Sequence, residues 1–312
     1  MNAGERRAVA DGKGAVPSGR DSAESKDPVR FWGASPRAVC GVCPHACTLA
    51  EGARGICRAR VARGGRVVDE NYGRVTSIAL DPVEKKPLAR FRPGSTVLSL
   101  GSYGCNLRCP FCQNASIACA GADDAAWREL SPEEAVRLAA GACDDGCVGI
   151  AYTYNEPLVG YEYVRDAGRL AHEAGLVNVL VSNGMVNEEP LAELLGVVDA
   201  ANIDLKGFTQ GFYDLAGGDL TAVKRTIETL AADPACHLEV TTLVIPGLND
   251  DPDEIDAAAA WLASLDPCIP YHLTRFFPCH RMLDRPPTPV PALRALADVA
   301  RRHLDDVLVG NC

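Results

Sequence analysis

From residue 96 onward, six strand-like runs, 97–103, 148–155, 177–183, 200–206, 237–246 and 270–277, each give way to a helical stretch. Repeated strand–helix units imply a parallel sheet covered by helices, an α/β fold. Two of the helices open on recognisable caps, Ser131-Pro132-Glu133-Glu134 and Asp251-Pro252-Asp253-Glu254. A capping side chain before Pro at the first helical position satisfies amide groups that would otherwise lack partners. Six units are fewer than a closed eight-unit barrel needs, so the expectation is a partial barrel or a doubly wound sheet. A seventh short strand is expected at Val307-Leu308-Val309. In both architectures ligand-binding groups gather at the carboxyl ends of the strands, and function is sought there.

The first run ends in Gly104-Cys105-Asn106-Leu107-Arg108-Cys109-Pro110-Phe111-Cys112-Gln113-Asn114. Thiolates are soft ligands that select zinc, copper or iron–sulfur centres. A closed structural site takes four protein ligands, so a triad without a nearby fourth leaves a coordination position for a small molecule. The second run ends in Tyr154-Asn155-Glu156-Pro157, where a carboxylate could grip an ammonium group or simply be solvated; the third ends in Ser182-Asn183-Gly184. In the fourth, alternation puts Asn202, Asp204 and Lys206 on one face. Lys206 then either contacts a ligand or pairs with Asp204 inside the barrel. The fifth run leads to Ile245-Pro246-Gly247-Leu248-Asn249-Asp250. The sixth carries His272 and Thr274 on one face, and a lone histidine there reads as a satisfied core residue. Arg275 and His280 are further rim candidates for substrate contact.

Upstream, Cys40, Cys43, Cys47 and Cys57 lie in a segment so punctuated by Gly and Pro that neither helix nor strand accounts for it. Four thiols fit a closed second site, zinc or an auxiliary iron–sulfur cluster, with His45 an outside candidate ligand. Short strands at 66–69 and 75–80 would join this Cys-rich module, residues 30–90, to a core spanning 91–312. Residues 1–29 contain no aromatic residue and no apolar periodicity, and are expected to be disordered. The remaining cysteines, Cys119, Cys143, Cys147, Cys236, Cys268, Cys279 and Cys312, read mostly as small buried apolar residues.

Composition excludes some classes of function. With 41 acidic against 31 basic residues the formal charge is −10, which argues against nucleic-acid partners and anionic membrane surfaces. No run of about 18 apolar residues is present and the first thirty residues hold no signal-like apolar segment, so a cytoplasmic location is expected. Fourteen cysteines in such a chain point to metals or chemistry before disulfides.

The Gly-Cys-Asn-Leu-Arg-Cys-Pro-Phe-Cys-Gln-Asn loop after the first strand of a βα repeat resembles the signature of the radical S-adenosylmethionine (SAM) superfamily. That resemblance implies a partial (β/α)6 barrel and a [4Fe–4S] cluster on Cys105, Cys109 and Cys112, with SAM on the fourth iron. It also implies Phe111 beside the adenine, and Asn114, Glu156, Ser182, Asn183, Asp204 and Lys206 around the cofactor, with Glu156 toward the methionine ammonium. An electron donor such as flavodoxin or ferredoxin would be a partner.

Within the superfamily, Asp204-Leu205-Lys206 and Val244-Ile245-Pro246-Gly247-Leu248-Asn249-Asp250 are similar to glycyl-radical-enzyme activases, including the pyruvate formate-lyase activator. The chain departs from them with Tyr154-Asn155 in place of Gly-Gly before Glu-Pro, and with Val181 in place of an aspartate. It more closely resembles the radical SAM component of the AmmeMemoRadiSam system. The shared features are Cys-Pro-His-x-Cys with Glu-Gly-x-x-Gly-x-Cys, Asp81-Pro82-Val83-Glu84-Lys85-Lys86-Pro87-Leu88, and Arg275-Phe276-Phe277-Pro278 with Pro286-Pro287-Thr288-Pro289. The alternatives are a glycyl-radical activase and, in a different class, a non-catalytic protein in which both cysteine groups hold zinc.

Overall fold

All six apolar runs form strands in the computed structural model, which describes residues 37–312. The tail expected to be disordered lies outside the described residues. The main sheet has eight strands: β1 (Ser77–Pro82), β2 (Thr96–Gly101), β3 (Cys147–Tyr152), β4 (Val177–Ser182), β5 (Ala200–Asp204), β6 (His237–Val244), β7 (Tyr271–Arg275) and β8 (Val307–Gly310). β8 is the short seventh unit anticipated at Val307. The fourth run ends earlier than expected, at Asp204, which leaves Lys206 just past the strand.

Strand order in space follows order in sequence from β8 back to β1. Neighbours are parallel except β1 and β2, which pair antiparallel with Ser77 opposite Gly101. A doubly wound sheet reverses direction at a switch point. This one never reverses, so it is a partial barrel with its outermost strands unpaired to each other. β1 lies in the region expected to connect the Cys-rich module to the core, and the main sheet thus begins at Ser77.

Side-chain alternation decides what each face buries. One face offers Leu98, Leu100, Ile150, Leu180 and Ile203 to the helices that follow the strands. The helix Pro132–Ala140 is capped by Ser131, whose side chain accepts from Glu134 N–H at 3.2 Å, and Pro252–Leu265 by Asp251. The opposite face carries the smaller Val97, Ala151, Val179 and Ala200, which pack on Val83 and Leu88 from the segment between β1 and β2. That segment is strapped under the sheet by Glu239 of β6. Its carboxylate accepts the amides of Ala89 at 3.0 Å and Arg90 at 2.8 Å. His272 is a satisfied core residue, bonded to the same carboxylate.

The Cys-rich module consists of two small hairpins, Ala38–Val39 with Thr48–Leu49 and Arg60–Arg63 with Arg66–Asp69. Arg60 fastens it to the helix Tyr161–Glu173 through a forked ion pair with Glu162, at 2.6 and 2.8 Å. Arg60 is 5% exposed, so the pair is largely shielded from water and is stronger than a surface one. Among the described residues no helix is long and apolar enough to cross a membrane.

Candidate active site

The cysteine loop leaves β2 through Gly104, and packing requires a glycine there. Its φ is +88°, and a Cβ would stand 2.5 Å from the Cys57 carbonyl oxygen. The loop is then held from outside. Arg108 N–H donates to Ala216 O at 2.6 Å, Arg281 N–H to Pro110 O at 2.9 Å, and the Cys279 thiol to Phe111 O at 3.1 Å. Cys279 therefore braces the loop.

Cys105, Cys109 and Cys112 line one cavity of about 370 Å³ with Glu156, Asp204 and Lys206. Small-molecule sites run from about 300 to 1,000 Å³. Phe111, Asn114, Ser182 and Asn183 line it too, so the residues singled out at four strand ends meet in one place. Burial pushes all three thiols up, Cys109 to about 11 and Cys105 well above its usual value. Lys206 opposes that rise at Cys109 and Cys112. Thiols so raised become ligands only when a metal takes their protons' place.

Glu156 is 2% exposed, and its carboxylate ties the end of β3 to the end of β4. One oxygen accepts from Leu158 N–H at 2.9 Å and Ser182 Oγ–H at 2.7 Å, the other from Asn183 N–H at 2.8 Å. Of roughly four lone-pair sites, about one is left for a ligand. Burial pushes this acid up to about 7, against those three hydrogen bonds. Lys206 makes the ion pair, since Nζ donates to Asp204 Oδ2 at 2.7 Å, and it also lines the cavity. Burial disfavours its charge, but Asp204 and the neighbouring thiolates hold the ammonium above its ordinary range.

Two rim candidates do not reach the cavity lining. Arg275 donates from Nε to Thr288 O at 2.7 Å and lies over the Phe277 ring. His280 faces a smaller recess behind the loop with Arg58 and Cys119. Residues missed from the sequence include Tyr154, Asp81, Lys85 and Lys86. Tyr154 donates its hydroxyl to Asp81 Oδ2 at 2.6 Å, and Lys86 Nζ sits 4.7 Å from the ring centroid. Tyr154 has φ +72°, the left-handed backbone that a glycine adopts freely. A non-glycine residue there costs about 1–2 kcal/mol. The signal for the others was Asp81–Leu88 itself, whose Lys85 and Pro87 line the cavity.

The four upstream thiols also face one another. A Cβ on Gly55 would lie 3.6 Å from Cys47 Sγ and 3.7 Å from Cys57 Sγ, and Cys40 sits close enough to raise the Cys43 and Cys57 thiols further. His45, the outside candidate, bonds through Nε2 to the Asn106 carbonyl at 2.8 Å. Among the described residues, no three Cys, His, Asp or Glu side chains stand close enough to share one metal ion. Thiolates are donors that both zinc and iron–sulfur centres take, so the donor chemistry of both sets fits either kind of centre.

Comparison with known proteins agrees with this arrangement. The family model described as the radical SAM superfamily matches residues 100–262, from the end of β2 into the helix after β6. An uncharacterized protein of Methanocaldococcus jannaschii is 39% identical over 274 residues, which cover 87% of this chain and 80% of that protein. Among solved structures, Streptococcus suis SuiB matches with a TM-score of 0.53 at 12% identity, over 68% of this chain and 48% of its own. SuiB has also been solved bound to S-adenosylmethionine. A radical SAM methyltransferase from Sphaerobacter thermophilus gives 0.50 at 18% identity, over 70% and 67% of the two chains. At such identities these two structures speak to the fold.

Proposed function

Because the chain belongs to the radical SAM superfamily and is an enzyme of that class, we propose that it acts as an AmmeMemoRadiSam-type enzyme, with a [4Fe–4S] cluster on Cys105, Cys109 and Cys112 and SAM in the cavity they line. When bound, cluster and SAM together supply a 5′-deoxyadenosyl radical by one-electron reductive cleavage, for hydrogen abstraction from a substrate. The observation that carries this reading is the convergence of three thiols, a buried carboxylate and a paired lysine on one cavity of SAM-compatible size.

The chain's own residues divide the work. Glu156, already fixed by three donors, turns its remaining lone pair toward an ammonium group. Phe111, 3% exposed and packed on Phe212 at 5.7 Å, offers an apolar wall for adenine. Lys206 keeps positive charge beside Cys109 and Cys112, which favours the reduced state of a thiolate-held centre. The pairing of Asp81 with Tyr154 and Lys86 brings the Asp81–Leu88 segment to the cavity. That contact favours the AmmeMemoRadiSam type over the activase alternative, because this segment is part of the resemblance to the former. Family membership removes the non-catalytic zinc alternative.

Anaerobic reconstitution with iron and sulfide, followed by dithionite and SAM, tests the reading. An iron–sulfur absorption band and 5′-deoxyadenosine are expected, and absence of both would overturn it. Lys206→Met keeps most of the length of the side chain and removes its charge. It is expected to lower the cluster's midpoint potential and slow 5′-deoxyadenosine formation by about 10–100-fold, the usual cost of losing a group next to a metal ligand. An unchanged potential would show that Lys206 serves only its ion pair.

A further inference from the structure

Six residues that line the cavity have no part in the chemistry proposed above: Lys85, Pro87, Thr241, Leu243, Thr274 and Asn311. Four of them make one continuous wall. Thr241 and Leu243 share the inner face of β6, and the register puts Thr241 beside Asp204 of β5, Leu243 beside Thr274 of β7, and Thr274 beside Gly310 of β8. Asn311 follows Gly310, on which a Cβ would stand 3.1 Å from the Thr274 side chain. Pro87 belongs to the strap inside the sheet, where its carbonyl accepts from Asn202 Nδ2 at 2.7 Å. Lys85 comes from the other outer strand, three residues past the end of β1. The wall is thus separate from the ends of β3 and β4, which carry Glu156, Ser182 and Asn183.

Two features of this part of the cavity call for a ligand. Thr241 is 5% exposed, and its hydroxyl has no hydrogen-bond partner among the described residues. A buried hydroxyl without a partner is costly, and a molecule in the cavity can supply one. The next residue, Thr242, faces the other way and is satisfied by Leu205 O at 2.7 Å and Tyr271 Oη at 2.8 Å. The second feature is charge. Asp81 is shared by two ammonium groups, Lys85 at 3.2 Å and Lys86 at 2.9 Å, and it also accepts the Tyr154 hydroxyl. One carboxylate between two cations leaves a positive charge over. Lys86 is the buried partner, at 3% side-chain exposure, whereas Lys85 is 66% exposed. So exposed a pair is of little worth, and Lys85 can turn from Asp81 to an anion. The lining carboxylates are engaged elsewhere, Asp204 with Lys206 and Glu156 with three donors.

We propose that this region is the substrate subsite, and that it takes a small anionic molecule whose carboxylate or phosphate pairs with Lys85 and whose hydroxyl or carbonyl oxygen meets Thr241 Oγ1. The inference rests on SAM lying beside the thiols. Charge then sorts the two ligands. The ends of β3 and β4 offer a carboxylate to an ammonium group, and the region from β6 round to Lys85 offers an ammonium and a hydroxyl to an anion. Leu243 and Pro87 add apolar surface for a carbon skeleton, and a few placed polar groups on an apolar lining are what fix a small molecule's orientation.

Three molecules on one skeleton test the class: glycerol, glycerate and glycerol 3-phosphate, which are neutral, a carboxylate and a phosphate. Binding of each, radiolabelled, to anaerobically reconstituted full-length protein is read by equilibrium dialysis with excess SAM and no reductant. One of the two anions is expected to bind about 10-fold or more tightly than glycerol, the difference a hydrogen bond to a charged group makes. Which of them does so tells carboxylate from phosphate. Lys85→Met should erase the preference and Lys85→Arg should keep it. Thr241→Val, close in shape but without the hydroxyl, should weaken the preferred anion about 5–10-fold, and Thr241→Ser should restore it.

No binding by any of the three, or equal binding by all, overturns the subsite, as does a preference that survives Lys85→Met. So does a Thr241→Val variant that loses more affinity for SAM than for the anion, because the hydroxyl would then serve the cofactor. The same preparations are given dithionite, and 5′-deoxyadenosine is measured. Product formed without an anion preference overturns the subsite and leaves the radical chemistry standing. An anion preference without SAM binding or product keeps the anion site and overturns the radical chemistry.

Discussion

Cys109→Ala is expected to abolish both the iron–sulfur absorption of the loop centre and 5′-deoxyadenosine formation, down to the uncatalysed background. Each thiol of the triad is a proposed ligand that nothing else in the cavity can replace in kind, because the other polar lining groups are oxygen and nitrogen donors. Cys109 is the most telling of the three. Burial pushes its thiol up to about 11 while Lys206 pulls it back, so it is poised next to the cation proposed to stabilise the reduced centre. Removing one sulfur atom from a half-buried position leaves little to collapse. The metal-free variant should melt within about 1 kcal/mol of the metal-free wild type, as substitutions outside the tight core do. Iron counts, the absorption band and product formation check the first part, and thermal melting without metal checks the second. A variant that kept its full cluster and product yield would remove Cys109 from the ligand set.

Glu239→Ala should produce the largest loss of stability, about 3–5 kcal/mol, the range for stripping one partner from a buried ionic group. Glu239 is 0% exposed on β6 and accepts hydrogen bonds from the Ala89 and Arg90 amides and from His237 and His272. Without the carboxylate, two strap amides and two imidazoles lose their acceptor under the sheet. The pH dependence has a definite sign. Burial alone would raise this acid, but the bonds from His237, His272 and the two amides outweigh it and bring it down to about 2 from an ordinary 4.5. A carboxyl lower in the folded chain than in the unfolded one stabilises the fold above its unfolded pKa. That contribution is fully present above about pH 4.5 and is lost as pH falls toward 2, about 3 kcal/mol over the window. Melting temperatures of wild type and Glu239→Gln should therefore differ at neutral pH and converge as the pH approaches 2. A constant difference across that range would show that the carboxylate is not ionised in the fold.

Much of the architecture was legible in the chain because strands and helices report themselves locally. The alternation of Val97-Leu98-Ser99-Leu100 and the caps at Ser131 and Asp251 need no knowledge of distant residues. Lys206 was harder to read, since it pairs with Asp204 and at the same time lines the cavity. Tyr154 was not legible at all. A bulky residue rarely takes a positive φ, and only the surrounding contacts with Asp81 and Lys86 hold it there. Arg275 read as a rim group because it lies at the carboxyl end of a strand, yet its guanidinium turns to Thr288 and Phe277.

By itself, the sequence determined the donor chemistry and the winding: three thiols on a loop after the first of six βα units, four more upstream, and a parallel sheet to carry them. These follow from residue type and local period, which each segment carries alone. Only the tertiary structure decided which polar groups meet. Glu156 reaches Ser182 across 26 residues, Asn183 reaches Asn106 across 77, and Arg90 reaches Glu239 across 149. Such partners are chosen by the register of one strand against the next and by which loop ends share a rim, and no local pattern encodes either. The two groups of cysteines were separate centres on the page of letters. The fold brings them side by side, with the Cys57 carbonyl against Gly104 and His45 on the Asn106 carbonyl.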